Sequence, residues 1–141
     1  MSEVKTNKLT GTTSAGNVTV TGEGGSGTIQ MQQGLLKCWV HLDGNPVGID
    51  DSFNAASATD SGTGRYTLAM TSAMNNTDYA VPTAFGRNTA GSSYALGNAG
   101  DFAFSQTTTQ FRVEFFTRSS SLGDTFSDTD NYHISVAGDL A

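Results

Sequence analysis

Leu36-Lys37-Cys38-Trp39-Val40-His41-Leu42, followed at once by Asp43-Gly44-Asn45-Pro46, is the stretch that decides the fold. Cys38, Val40 and Leu42 occupy every second position, and Lys37, Trp39 and His41 take the places between. Successive side chains of a strand point to opposite faces, so a period of two marks a strand buried on one side. The Asp-Gly-Asn-Pro run then demands a turn: Asp and Asn bond their own backbone, Gly admits positive φ, and Pro locks its own φ on the negative side.

The same alternation recurs outward from this segment. Tyr66, Leu68 and Met70 form one stripe within Arg65–Met70, and Phe111, Val113 and Phe115 another within Gln110–Phe116. Tyr132-His133-Ile134-Ser135-Val136 closes the series. Weaker strands are expected at Asp51–Ala56, at Asp78–Val81 before Pro82, at Tyr94–Leu96 and around Phe102 and Phe104. Turns or loops are expected over Thr59–Gly64, Ala84–Gly100 and Ser119–Asp130. No helical period stands out; Ala69–Met74 has room for one turn at most. Seven or eight short strands separated by turn signals predict an all-β fold, an antiparallel β-sandwich, jelly-roll-like, over residues 35–141.

Composition agrees. Of 141 residues, 52 are Thr, Ser or Gly, and only 14% are charged. Strong helix formers are too sparse for a bundle. Recurrent Phe, Tyr, Val and Ile speak against disorder. The net charge of −6 and seven basic residues argue against a nucleic-acid partner. No apolar run approaches the ~20 residues of a membrane span, so no membrane insertion is expected. The start Met1-Ser2-Glu3-Val4-Lys5 lacks an apolar signal core, which points to synthesis and retention in a cytosol. Cys38, the single cysteine, permits no internal disulfide.

Residues 1–34 read differently. They hold no aromatic residue. Val4–Leu9, Asn17–Thr21 and Thr28–Gln32 alternate as short polar strands, with Gly22-Glu23-Gly24-Gly25-Ser26-Gly27 as a flexible connection. Two apolar residues per strand do not offset the entropy of ordering it. The segment is therefore expected to be an extended N-terminal arm that orders against a partner.

Candidate chemistry is sparse. His41 and His133 fall on faces opposite the apolar stripes, with no second His or Cys at metal-ligand spacing. Cys38 lies on its apolar stripe and reads as a buried, inert thiol. No Gly-x-Ser-x-Gly elbow is present. Asp43-Gly44-Asn45 lacks the terminal Glu of a calcium loop, and Asp124, Asp128 and Asp130 read first as a solvated acidic loop and second as a cation loop. Glu114 and Asp101 have no placeable carboxylate partner for glycosidase chemistry. The sequons Asn17-Val18-Thr19 and Asn75-Asn76-Thr77 carry little weight without a secretory signal. No cofactor is expected. Exposed aromatics with nearby amides and a guanidinium suit sugar rings or a protein partner equally. The candidates are Trp39, Arg87, Asn88, Tyr94 and Asn98, with Phe116 as a further exposed ring.

Four successive motifs also carry a resemblance. Leu36-Lys-Cys-Trp-Val-His-Leu-Asp-Gly44 comes first. Asp51-Ser-Phe-Asn follows, then Gly62-Thr-Gly-Arg-Tyr-Thr67, then Ala73-Met-Asn-Asn-Thr-Asp-Tyr79. In that order they resemble tail-fibre-like virion proteins of marine bacteriophages, over about residues 35–82. Tyr132-His-Ile-Ser-Val-Ala-Gly138 looks like that family's last strand, and Glu3-Val-Lys-Thr-Asn-Lys-Leu9 like its short polar N-termini. The resemblance implies a non-enzymatic virion protein: a short tail fibre, knob or other appendage, made in the host bacterial cytoplasm. A capsid decoration or head fibre, and a host-surface glycan-binding module, are the alternatives. The expected partners are further copies of the chain, a homotrimer favoured, and other virion proteins through the arm. A host-surface polysaccharide is the third.

Overall fold

Strands β1 (Thr19–Thr21) and β2 (Thr28–Gln30) pair antiparallel, with Val20 opposite Ile29, and a single helical turn, α1 (Met31–Gly34), follows. In this computed structural model the described residues are 3, 5–12, 18–21, 25, 27–82, 85–87, 94–98, 106–119 and 123–139. Among these, the side chains of 32, 33, 85–87, 94–98, 117–119 and 123–125 are not described. The chain divides into two units, Met1–Leu35 and Leu36–Ala141.

The first unit differs in detail from the expectation. The third arm strand stops at Gln30, and Met31 and Gln32 belong to α1 instead. The Met31 N–H donates to the Val18 carbonyl across the pair, drawing the chain out of the extended line. Among the described residues of the Val4–Leu9 segment no strand forms. No buried core residue belongs to this unit's described part.

The second unit is an antiparallel β-sandwich. Its strands are β3 (Leu36–Gly44), β4 (Val47–Phe53), β5 (Ala55–Gly62), β6 (Arg65–Met70), β7 (Phe85–Arg87), β8 (Tyr94–Asn98), β9 (Gln110–Ser119), β10 (Gly123–Phe126) and β11 (Asn131–Ala137). Hydrogen bonding runs in the order β4-β3-β11-β7-β8-β9-β6-β5, with β10 added beside β9. The sheet folds over on itself, so that β3 and β11 face β6 and β9. The Tyr132 ring of β11 stacks on Phe115 of β9 with centroids 3.8 Å apart, and lies 5.3 Å from Tyr66 of β6. The connections β6 to β7 and β10 to β11 cross between layers, giving a wound order rather than a simple meander.

The core sits where the alternating stripes meet. Cys38, Val40 and Leu42 come from β3, Tyr66, Leu68 and Met70 from β6, Phe111, Val113 and Phe115 from β9, and Tyr132, Ile134 and Val136 from β11. Each large apolar side chain so removed from water contributes ~1.5–3 kcal/mol. Met74 and Tyr79 close one end from the β6–β7 connection. The Tyr79 hydroxyl lies 2.8 Å from the carbonyls of both Thr107 and Gln110, tying that connection to the start of β9.

Several boundaries depart from the expectation. Asp51–Ala56 is not one strand. It breaks at Asn54, whose φ of 61° turns the chain from β4 in one layer to β5 in the other. The Asn54 amide holds that corner, donating to the Lys37 carbonyl at 2.9 Å and accepting from the Ser72 N–H at 2.7 Å. Thr59–Gly62 lies within β5, leaving only Thr63 and Gly64 as the turn. Gly64 has φ +66°, and a Cβ there would collide with the Phe115 carbonyl, so the turn tolerates only glycine. The expected strand at Asp78–Val81 is reduced to one bridge, Ala80 to Ala137. The expected loop Ser119–Asp130 contains β10, and the expected loop Ala84–Gly100 contains β7. Phe102 and Phe104 lie outside the described residues.

Lys37 is buried rather than on the Trp39 face. The register against β11 jumps from Cys38–Val136 to Leu36–Ala137, making Lys37 the extra residue of a β-bulge. A bulge re-aims its side chain and breaks the alternation there.

Candidate functional site

Among the described residues, the outward face of β4-β3-β11 brings together aromatic, imidazole, amide and carboxylate side chains. It exists because Cys38, Val40 and Leu42 take the inner face, which leaves Trp39 and His41 on the other. Register then aligns neighbours in rows. Trp39 pairs with Phe53 of β4 and with Ser135 of β11. Trp39 is 37% exposed and Phe53 51%, an aromatic pair open to solvent.

One row along, His41 pairs with Asp51 on one side and His133 on the other. The two imidazoles stack with centroids 4.5 Å apart and planes inclined by 15°. His41 Nε2 lies 3.0 Å from Asn131 Oδ1 and 3.7 Å from Asp50 Oδ2. The face thus combines an indole, a phenyl ring, a stacked imidazole pair, an amide and carboxylates. Aromatic faces take apolar or sugar surfaces, and the polar groups around them orient hydrogen-bonding ligands. Among the described residues, no group of three or more His, Cys, Asp or Glu is placed to hold a metal ion.

Sequence reasoning singled out Trp39, Arg87, Asn88, Tyr94 and Asn98. Arg87 on β7 is the register partner of Asn131, and Tyr94 on β8 is the register partner of Arg87. A single row therefore runs Asn131–Arg87–Tyr94, four residues along β11 from the Trp39–Ser135 pair. Asn98 stands opposite Glu114 of β9, away from that row. Asn88 lies outside the described residues, as do the side chains of Arg87, Tyr94 and Asn98. Phe116 is half-buried on β9. Phe53, Asp50 and Asn131 were missed. Alternation places residues on faces but not in rows, and His41 and His133 are 92 positions apart in sequence, so their stacking had no local signal.

A second cluster sits inside one end of the sandwich and takes in one residue of the acidic loop. Asp128 is half-buried, and one of its oxygens is taken up by protein donors. Its Oδ1 accepts from the Gly64 N–H and, at 2.9 Å, from the Tyr66 hydroxyl. The Tyr66 hydroxyl also lies 3.2 Å from the Gly44 carbonyl. The Thr129 N–H donates to the Tyr132 hydroxyl at 2.8 Å, which donates in turn to the Ser127 carbonyl at 2.9 Å. The Gly44 N–H closes the ring onto the Thr129 carbonyl. Burial, then the hydrogen bonds to Tyr132 and Asp128, push the Tyr66 phenol well above its ordinary pKa. This network fastens the β10–β11 loop over the core and leaves Asp128 engaged by protein donors. Asp124 lies in β10, with its side chain outside the described residues.

Two other groups are structural. Glu114 pairs with Arg65 at 3.0 Å across β6 and β9, and the Arg65 guanidinium sits 4.2 Å over the Phe126 ring. Cys38 is fully buried, and burial pushes its thiol up to about 11. At neutral pH it is an inert thiol, since the thiolate is the reactive form.

No protein-family model, curated protein or solved structure matches this chain.

Proposed function

We propose that this chain is a non-enzymatic structural protein of a bacteriophage virion: a short tail fibre, knob or other appendage. It assembles as a homo-oligomer, a trimer favoured, in the cytoplasm of the host bacterium. The observation that carries the reading is the contrast between the two units. The sandwich has its own core, whereas the N-terminal sheet is ordered around an apolar pair that stays 48% (Val20) and 62% (Ile29) exposed. A two-stranded sheet of this size is at best marginal in water alone. A unit of that kind is suited to assembly, where the missing interior comes from another chain. The order of motifs over residues 35–82 supports a virion context, and a capsid decoration is the nearest alternative location.

The test has two arms. Purified full-length chain, run through size exclusion with light scattering at micromolar concentration, should have a multiple of the 14.7 kDa chain mass. Mass spectrometry of intact particles from infected cells should recover its peptides, and antibody labelling in electron micrographs should place it on the tail. A monomer never found in particles would sink the proposal; label on the head would move it to a decoration.

A second reading is favoured by the open Trp39–Phe53 pair beside the His41, Asp50 and Asn131 groups. That surface suits a host-surface polysaccharide, stacking on the rings and bonding the polar groups. Saturable binding to cell-envelope polysaccharide should fall about five- to thirty-fold on Trp39→Ala, the loss of ~1–2 kcal/mol of ring contact. Unchanged binding by the variant would exclude this face.

A further inference from the structure

We propose that the β1–β2 sheet is the self-association surface of the chain, and that its occupant is the same sheet of further copies. This rests on the homo-oligomer reading above and adds where the contact lies.

Three observations point there. The first is the face itself. Val20 and Ile29 are register partners, hence side by side on one face, and both are exposed although their strands are ordered. The second is the edges. Among the described residues the sheet has two strands, and each has one edge with no β-neighbour among them. Unpaired edges template further strands, and nothing in these two strands opposes that. Neither proline nor charge occurs in Thr19–Thr21 or Thr28–Gln30.

The third observation decides between occupants, and it is charge. The unit from Met1 to Leu35 carries Glu3, Lys5, Lys8 and Glu23, and is neutral. The unit from Leu36 onward carries five basic and eleven acidic residues, the whole of the −6. Copies of the sandwich repel one another, and net charge of one sign keeps bodies apart. Copies of the neutral sheet do not. From Thr10 to Gly34 only Glu23 is charged, so there is no field to select a charged foreign partner. A neutral sheet with an exposed apolar pair, on a chain whose other unit is self-repelling, fits its own copies best. Closed cyclic association of identical chains satisfies every copy equally.

The experiment compares three full-length proteins by light scattering across a dilution series: wild type, a Val20→Thr/Ile29→Thr double variant, and a Trp39→Ser/Phe53→Ser double variant. Threonine keeps the β-branched shape and strand preference while removing the apolar surface. Near-ultraviolet circular dichroism checks that the sandwich is folded in each. The expected result is an oligomeric wild type and a rise of at least about a hundred-fold in the concentration at which Val20→Thr/Ile29→Thr assembles. Trp39→Ser/Phe53→Ser should assemble as wild type does. Assembly of Val20→Thr/Ile29→Thr at the wild-type concentration overturns the inference and leaves the homo-oligomer reading standing. So does an equal or larger shift for Trp39→Ser/Phe53→Ser, which would move the contact to the sandwich. A wild type that stays monomeric overturns both.

Discussion

Strands β1 and β6 are written in the same alphabet and end in opposite circumstances. Thr19-Val20-Thr21 and Arg65-Tyr66-Thr67-Leu68-Ala69-Met70 both alternate polar with apolar. In β6 every second residue is buried; in β1 all three are exposed. Alternation therefore says only that a strand has a face to bury. Whether the face is buried depends on a second layer, and β6 has one in β11 and β3 while the described N-terminal sheet has none. The aromatic residues explain the asymmetry. Tyr66, Phe115 and Tyr132 reach across the sandwich and touch one another, whereas residues 1–34 contain no ring able to span such a gap.

The contrast is sharpest where a ring is removed from the interior. Tyr132→Ala deletes the side chain stacked on Phe115 and leaves the Thr129 N–H without its hydroxyl. Unfolding of the sandwich, followed by circular dichroism in denaturant, should lose about 3–5 kcal/mol. Val20→Ala should change that same transition by less than about 0.5 kcal/mol. If the two substitutions cost alike, the units share one cooperative core and the comparison fails.

A smaller effect is expected at the loop that closes the sandwich. Asp128→Ala strands the Gly64 N–H and leaves the Tyr66 hydroxyl only its longer bond to the Gly44 carbonyl, and should cost about 1–3 kcal/mol in the same measurement. Asp128→Asn keeps an acceptor oxygen and should recover part of that. Next comes the corner between layers. Asn54→Ala loses the bonds to Lys37 and Ser72 and keeps the positive φ, for about 1–2 kcal/mol. Asn54→Gly relieves the φ and should cost less. Both variants lose the same hydrogen bonds, so a reversed order would show that the positive φ carries no cost at this corner.

The mildest probe is pH. Burial raises Cys38 from 9.0 to about 11 and Tyr79 from 10.0 to about 12. Both groups hold their protons more tightly when folded. The unfolded chain gives them up first, so stability is complete below about pH 9 and declines as pH rises through 11 to 12. Denaturation midpoints should be flat from pH 7 to 9 in this respect and then fall. Cys38→Ala should blunt the first part of the fall. Folded protein at pH 8 should resist thiol alkylation while denatured protein reacts at once, and rapid labelling of the native chain would contradict a sealed core.

The amino-acid sequence by itself determined the class and the interior. Alternation at Cys38-Val40-Leu42, Tyr66-Leu68-Met70, Phe111-Val113-Phe115 and Tyr132-Ile134-Val136 named the buried face of four strands, because a strand's period of two is local and cannot be disguised. It also separated the aromatic-free first segment from the rest. Only the tertiary structure decided which strands are neighbours, and most of the surface chemistry depends on that. The stacking of His41 on His133, the Trp39–Phe53 pair and the row through Asn131, Arg87 and Tyr94 all come from register between distant strands. The bulge that buries Lys37 and the inward turn of Asp128 were likewise unreadable, since each is set by a partner far along the chain. A side chain's face is fixed by its two neighbours, but its company is fixed by whatever the folded sheet lays beside it.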